Sequence, residues 1–115
     1  MRDACLISIG NEMAMADYAY RHLLGQLAQQ YRLPALCSYV DTVEAGALMS
    51  YAFDLKLLAR RLAAQIVEIL NGRNASEMPF FLETRWDLVI NLKAAKELGL
   101  EIPAGLVAQA VRVIE

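Results

Sequence analysis

Short continuous apolar runs alternate with longer helix-spaced stripes in the first part of this chain. The run Ala4–Ile9 predicts a buried strand that feeds a loop at Gly10. Asp17 is a candidate N-cap, and Leu33–Pro34 ends the helix that follows because proline disfavours helical backbone before it. Ala35–Tyr39 predicts a second strand, parallel to the first. The stripe of that helix consists of Tyr20, Leu23, Leu24, Leu27, Ala28 and Tyr31.

The middle of the chain predicts a loop or short turn over Val40–Gly46 and a third strand over Ala47–Tyr51. Asp54 is the expected cap of a long amphipathic helix, and Gly72 stands where helices end in left-handed backbone. The wide apolar stripe of this helix consists of Leu55, Leu58, Ala59, Leu62, Ala63, Ile66, Ile69 and Leu70.

The last part predicts a strand over Asp87–Leu92, a short helix over Lys93–Leu98 closed by Gly99, and a terminal helix from Pro103 through Ile114. Strands that alternate with helices indicate an α/β fold. We therefore expect a single domain over residues 1–115, with a mostly parallel sheet flanked by helices in three layers.

Composition narrows the class of protein. Hydrophobic residues make up 57% of the 115 positions, above the roughly 45–50% of typical soluble domains. We interpret the excess as strands buried on both faces or as apolar surface for a partner. No apolar run reaches the length of a membrane helix, and the N-terminus lacks the pattern of a signal peptide. A net charge of −2 without a basic face argues against nucleic acid.

The sequence contains no motif for most kinds of catalytic or metal-binding site. The single histidine, His22, lies within the first helix, and no Ser or Cys occupies a nucleophile-elbow pattern. No glycine spacing fits a phosphate-binding loop, and Asp41 and Glu44 have no third ligand at matching spacing. Cys5 and Cys37 fit buried free thiols, with a disulfide as the alternative. We expect no enzyme, no metal and no cofactor.

Polar side chains at the strand ends are the remaining candidates for function. Asn11 follows the first strand, Ser38 and Asp41 follow the second, and Ser50 and Tyr51 end the third. Parallel strands would place these groups at one edge, where α/β sheets bind ligands. Amide, hydroxyl and carboxylate groups suit a small zwitterion, and a tyrosine ring can cover its apolar part. The alternative is that Asn11 and Asp41 only cap or turn the chain.

Three parts of the chain, VEAGALMSY, INLKAAKELGL and the final IP…VIE, resemble the C-terminal part of ABC-transporter substrate-binding proteins of the tryptophan/tyrosine-binding type. The resemblance covers nearly the whole chain and implies one incomplete lobe of a type I periplasmic binding protein. It implies Asn11 and Asp41 as contacts for the polar ends of a small organic solute such as an amino acid, with Ser38 as an auxiliary donor and Tyr51 as apolar cover. The family often has Gly-Pro where this chain has Ala52–Phe53, which puts hinge behaviour at that junction in question.

The resemblance also implies partners and a compartment. An ABC permease would be contacted through the full-length receptor, and the location would be periplasmic or extracellular. Because the other lobe is missing, the stripe of the long helix needs another surface, and we expect a C2 homodimer. The competing function is a self-associating α/β interaction or regulatory module that binds no solute. A receiver or flavodoxin-like domain is a third possibility, but only Asp3 supplies an early acidic residue.

Overall fold

The computed structural model describes residues 7–8, 18–82 and 84–115. They divide into two compact units. The sheet unit contains the described residues up to Ala52 together with Asp87–Glu115, and the inserted unit is Phe53–Trp86. The prediction of a single domain stays a prediction.

The sheet unit is built on five strands in the order β1-β2-β3-β4-β5. Three neighbouring pairs are parallel, and only β3 and β4 are antiparallel, with Ala52 opposite Asp87 at the end of that pair. The predicted fold class, a mostly parallel sheet with helices, is confirmed. The strands are β1 (Ile7–Ser8), β2 (Ala35–Cys37), β3 (Met49–Ala52), β4 (Asp87–Asn91) and β5 (Arg112–Ile114).

In chain order the helices of the described residues are α1 (Tyr18–Gln30), α2 (Val40–Glu44), α3 (Leu55–Leu70) in the inserted unit, α4 (Leu92–Leu98) and α5 (Ala104–Gln109). Helix α2 packs on β2, β3 and β4, helix α1 packs against α2, and helix α4 contacts β5. A short 3₁₀ helix, Ala75–Glu77, follows α3.

Helix α1 ends as predicted, but its buried side differs from the predicted apolar stripe. The Leu33 N–H donates to the Ala28 carbonyl at 2.8 Å, and Arg32 adopts a φ of 52° in this turn. Most of the predicted stripe is not buried, and Tyr20, for example, is 58% exposed. The reason is close helix contact at Gly25, where an added Cβ would lie 2.6 Å from the Ala45 Cβ. Small residues therefore line the buried side of α1.

The core beneath α1 and α2 is also made of small side chains. It consists of Ala28, Ala35, Cys37, Val43, Ala47 and Val89, with Ile114 packed against it. Cys37 is a buried free thiol, as the first interpretation of the cysteines expects. Cys5 and the predicted cap Asp17 lie outside the described residues.

Asn91, at the end of β4, joins three elements through its buried side chain. Its Nδ2 donates to the Val43 carbonyl of α2 at 3.1 Å. Its Oδ1 accepts from the Ala94 backbone at 2.9 Å and so caps α4, which ends at Gly99 with a φ of 71°. The predicted short helix closed by Gly99 is confirmed, and one buried amide bonds to both helices.

Two predictions of local structure are wrong. Val40–Gly46 contains the helix α2 instead of only a loop, because Thr42 and Val43 are buried against the sheet and stabilise one helical turn. The terminal helix ends at Gln109, and Arg112–Ile114 forms β5. The β-branched residues of this segment pair with the outer edge of β4 and satisfy its backbone groups.

The inserted unit has the predicted long helix with its predicted ends. The Asp54 carboxylate caps α3 by accepting from Lys56 N at 2.8 Å and Leu57 N at 3.2 Å. Gly72 adopts a φ of 99° after the helix. Phe53 and Trp86, at the two ends of the unit, form an edge-on ring pair with centroids 5.7 Å apart. No residue of α3 is buried, and most of its apolar stripe is exposed.

Candidate functional site

The carboxyl ends of β1, β2 and β3 lie at one edge of the sheet because these strands are parallel neighbours. Ser38 directly follows β2, Asp41 lies in the first turn of α2, and Tyr51 is next to the last residue of β3. Asn11 lies outside the described residues. Three of the four predicted contacts thus follow or lie near the carboxyl end of β2 or β3.

Asp41 makes two contacts with its carboxylate. Its Oδ1 accepts from the Thr42 backbone at 3.1 Å, and its Oδ2 lies 3.3 Å from Arg21 Nε. The side chains of Asp41 and Arg21 are each 21% exposed. The turn-forming role considered for Asp41 is therefore present. An ionised carboxylate has about four lone-pair positions, so it can accept more than these two contacts.

Arg21 and Tyr39 extend this group of side chains. The Arg21 guanidinium carbon lies 4.6 Å from the centre of the Tyr39 ring, in the geometry of a cation–π contact. Tyr39 precedes α2 with extended backbone, which places it between Ser38 and the helix. The structure thus brings Asp41 together with Arg21 and Tyr39, and we name these three residues the edge cluster.

Sequence reasoning missed Arg21 and Tyr39. Arg21 lies in α1 and Tyr39 directly precedes α2, so their contact depends on how the two helices pack. The local sequence pattern contains no signal for either residue.

Ser50 and Tyr51 are adjacent in β3 and face opposite sides of the sheet, as successive strand residues do. Tyr51 is 55% exposed, which leaves much of its ring accessible. Ser50 is 1% exposed, and its Oγ has no hydrogen-bond partner among the residues that the structure describes. Tyr51 can therefore cover a ligand, whereas Ser50 belongs to the packed face.

Cys37 lies beside the same edge, opposite Ser50 in the pairing of β2 with β3. Burial, together with the nearby negative charge of Asp41, raises the pKa of its thiol from 9.0 to about 12. The thiol is therefore protonated and uncharged at neutral pH. It acts as a small apolar side chain and is not a nucleophile.

A separate hollow of about 170 Å³ lies away from these residues. Gly46, which precedes β3, and the last turn of α1 border it, so it lies toward the amino ends of β2 and β3. The Gln29 amide donates to Glu97 Oε2 across it at 3.1 Å. None of the predicted site residues lines this hollow.

Metal sites and membrane spans are both absent from the described residues. No group of three or more His, Cys, Asp or Glu side chains in the described ranges could hold a metal ion. In the same part of the chain, no helix has both the length and the apolar character needed to cross a bilayer.

Three solved structures are similar to this chain. A conserved domain protein from Vibrio cholerae O1 biovar El Tor is 28% identical, with a TM-score of 0.76, over 94% of this chain and 35% of its own. An ABC domain from Streptococcus pneumoniae in complex with L-Trp is 32% identical, with a TM-score of 0.68, over 76% of this chain and 30% of its own.

The third structure supports the fold alone. It is the ligand-free, open form of a substrate-binding protein with adhesive properties from Clostridium difficile, 23% identical, with a TM-score of 0.58, over 95% of this chain and 35% of its own. This chain thus spans about a third of the length of each solved structure. No curated protein sequence matches it.

A family comparison covers almost every residue. The model of the ABC transporter substrate-binding proteins matches residues 2–114. The match agrees with the mostly parallel α/β sheet and with the resemblance carried by the runs around Ser50 and Asn91. The chain therefore belongs to the ABC transporter substrate-binding protein family.

Proposed function

We propose that this chain forms part of the receptor of an ABC-type importer and contributes to binding a small organic solute, with an amino acid as the leading candidate. The observation that carries the proposal is the edge cluster, which presents opposite charges and an aromatic ring beside the carboxyl end of β2. Family membership and the neighbouring structure in complex with L-Trp support the same class of ligand.

The proposed contacts have separate roles. Asp41 and Asn11 meet the polar ends of the solute, Ser38 donates a hydroxyl hydrogen bond, and Tyr51 covers an apolar part. Support for Asp41 comes from its partly exposed carboxylate, and support for Tyr51 comes from its exposed ring. A carboxylate is a strong acceptor for an ammonium group, and a tyrosine ring provides apolar area with little loss of entropy.

The proposal extends to the whole receptor. Because the chain spans about a third of the solved structures, a further segment would complete the enclosure of the solute and the contact with an ABC permease. The role is binding without catalysis, since the family consists of substrate-binding transport components. We place the receptor in the periplasm or outside the cell, where such components meet their solutes.

A thermal-shift panel of the twenty common amino acids tests solute binding. At a ligand concentration of 100 Kd, binding stabilises the folded chain by about 2.7 kcal/mol. We expect at least one amino acid at millimolar concentration to raise the Tm. Asp41→Asn should abolish that response, whereas Glu101→Gln, at an exposed position away from the edge cluster, should retain it. No shift for any solute would contradict the proposal.

The exposed stripe of α3 favours a second candidate, the self-associating module without a solute. Leu62 is 57% exposed and Ile66 is 49% exposed on a helix that has no buried residue. Apolar patches of this kind mark protein interfaces. A C2 homodimer that buries α3 would cover the stripe on both copies.

Light scattering tests this assembly. The second candidate predicts a dimeric mass at high micromolar concentration and a monomeric mass for Leu62→Lys. Ala64→Lys introduces the same charge at an exposed position on the opposite side of the same helix and should leave the dimer intact. A monomeric mass for the unmodified chain would contradict the homodimer, and loss of the solute response in Asp41→Asn would still identify a receptor.

A further inference from the structure

We infer that Arg21 anchors a carboxylate of the solute and so restricts the ligands of this chain to carboxylate-bearing molecules. The inference rests on the proposed solute-binding function and adds a specificity-determining residue to it. Arg21 lies in the edge cluster, 3.3 Å from Asp41 Oδ2, with 21% of its side chain exposed. The Arg21 side chain is therefore partly accessible to a ligand and is held in position by its neighbours.

The plane of the guanidinium is held in place. Tyr39 lies under it at 4.6 Å from the ring centre to the guanidinium carbon, and Asp41 approaches its Nε edge. A planar guanidinium carries five N–H donors and matches a carboxylate with two parallel hydrogen bonds. Because the ring restricts the guanidinium, less entropy is lost when an anion binds to it.

The ion pair between Arg21 and Asp41 is longer than a close one. The nitrogen–oxygen distance of 3.3 Å exceeds the about 2.7–2.9 Å of a charge-assisted hydrogen bond. Asp41 also accepts a backbone hydrogen bond from Thr42, which fixes that carboxylate independently of Arg21. Small movements of the arginine toward a ligand therefore leave Asp41 in place.

The charges of the Arg21–Asp41 pair match those of a zwitterion. A guanidinium attracts a carboxylate, and a carboxylate attracts an ammonium group. Asp41 compensates one cation, and a zwitterion adds one carboxylate toward Arg21 and one ammonium toward Asp41 without changing the net charge.

The alternative is that Arg21 only links α1 to α2. A link of that kind would weaken binding of every solute to the same extent when it is removed. An anchor would weaken only the ligands that carry a carboxylate. The two roles therefore differ in ligand preference and not in overall stability.

The test measures three probes that share an indole ring: L-tryptophan, indole-3-propionate, which lacks the ammonium, and tryptamine, which lacks the carboxylate. Each is titrated into the ¹⁵N-labelled chain, and binding is followed in ¹H–¹⁵N spectra that include the arginine Nε–Hε signals. We expect the two carboxylates to bind at least tenfold more tightly than tryptamine and to shift the Nε–Hε signal that is missing in Arg21→Lys.

Arg21→Gln should reduce the affinity for L-tryptophan and indole-3-propionate at least tenfold and leave tryptamine within twofold. Arg21→Lys should retain part of the preference. Arg32→Gln, at an exposed arginine at the other end of α1, should change none of the three affinities. If Arg21→Gln does not fold, the preference of the unmodified chain and the shift of its Nε–Hε signal decide.

Two results would overturn the inference, and they can be told apart. Equal binding of all three probes, with no shift of the Arg21 signal, refutes the anchor and leaves the solute-binding function standing. Equal weakening of all three probes in Arg21→Gln also refutes it and assigns Arg21 to structure. Failure of the unmodified chain to bind any of the probes or any amino acid of the panel refutes the function and the anchor together.

Discussion

Removal of the Asn91 side chain should lower the free energy of unfolding of the sheet unit more than removal of an exposed asparagine that caps a helix. Asn91 is 5% exposed, and its amide bonds to both α2 and α4. In Asn91→Ala the Ala94 N–H loses its cap, which costs about 1 kcal/mol. The Val43 carbonyl loses one of two donors, since it still accepts from the Gly46 N–H, and the loss of one such hydrogen bond costs about 0.5–1.5 kcal/mol. We expect a total loss of about 1.5–2.5 kcal/mol.

A loss of that size is measurable because small domains are stable by only about 5–15 kcal/mol. Chemical denaturation followed by circular dichroism gives the free energy of unfolding of each variant. Asn91→Ser isolates the two contributions, because a serine oxygen can still cap Ala94 but cannot reach α2. It should lose less stability than Asn91→Ala.

Asn74→Ala is the matched control for this experiment. Asn74 also caps a helix, by accepting from Ser76 N at 3.1 Å, but it is exposed and bonds to no second element. It should lose no more than about 1 kcal/mol. If Asn91→Ala were as mild as Asn74→Ala, the bond to α2 would contribute nothing and the reasoning would fail.

Three further predictions concern other positions. Gly25→Ala should destabilise by about 1–3 kcal/mol, because its Cβ would overlap Ala45; denaturation measures this, and an unchanged midpoint would show that α1 can move away. Asp54→Ala should lose about 1 kcal/mol and some helical circular dichroism, whereas Asp54→Ser should retain both, since serine also caps. In a Cys5→Ser background, Cys37 should react with a thiol reagent at pH 8 only after unfolding, and stability should fall as the pH rises from 9.0 toward about 12, because the unfolded thiol ionises first. Rapid labelling of the folded chain would contradict the burial.

Elements whose ends are marked by local sequence signals could be predicted from the sequence. The helix from Asp54 to Gly72 could be predicted because its cap and its terminating glycine are local signals. The same holds for the helix closed by Gly99. The strand Arg112–Ile114 was not predicted, because its extended conformation depends on pairing with the edge of β4. Such pairing depends on distant residues that a local pattern does not contain.

The same distinction applies to the candidate site. Positions that follow from strand order could be predicted, whereas contacts between side chains could not. The position of Asp41 after β2 could be predicted from strand order, but its pairing with Arg21 depends on how α1 packs against α2. That packing depends on the close approach of the two helices at Gly25. A pattern of large apolar residues does not identify a glycine as a contact point. The sequence therefore indicates which groups lie at the edge and not which of them touch.

The pairing of Ala52 with Asp87 has a consequence for how this protein could be rebuilt. The strands that enter and leave the segment Phe53–Trp86 are antiparallel neighbours, so the segment occupies the place of a hairpin turn. A two-residue Asn-Gly connection could in principle bridge β3 and β4 directly. Excision of the segment would then yield a miniature scaffold with all five strands, onto which other inserts could be grafted.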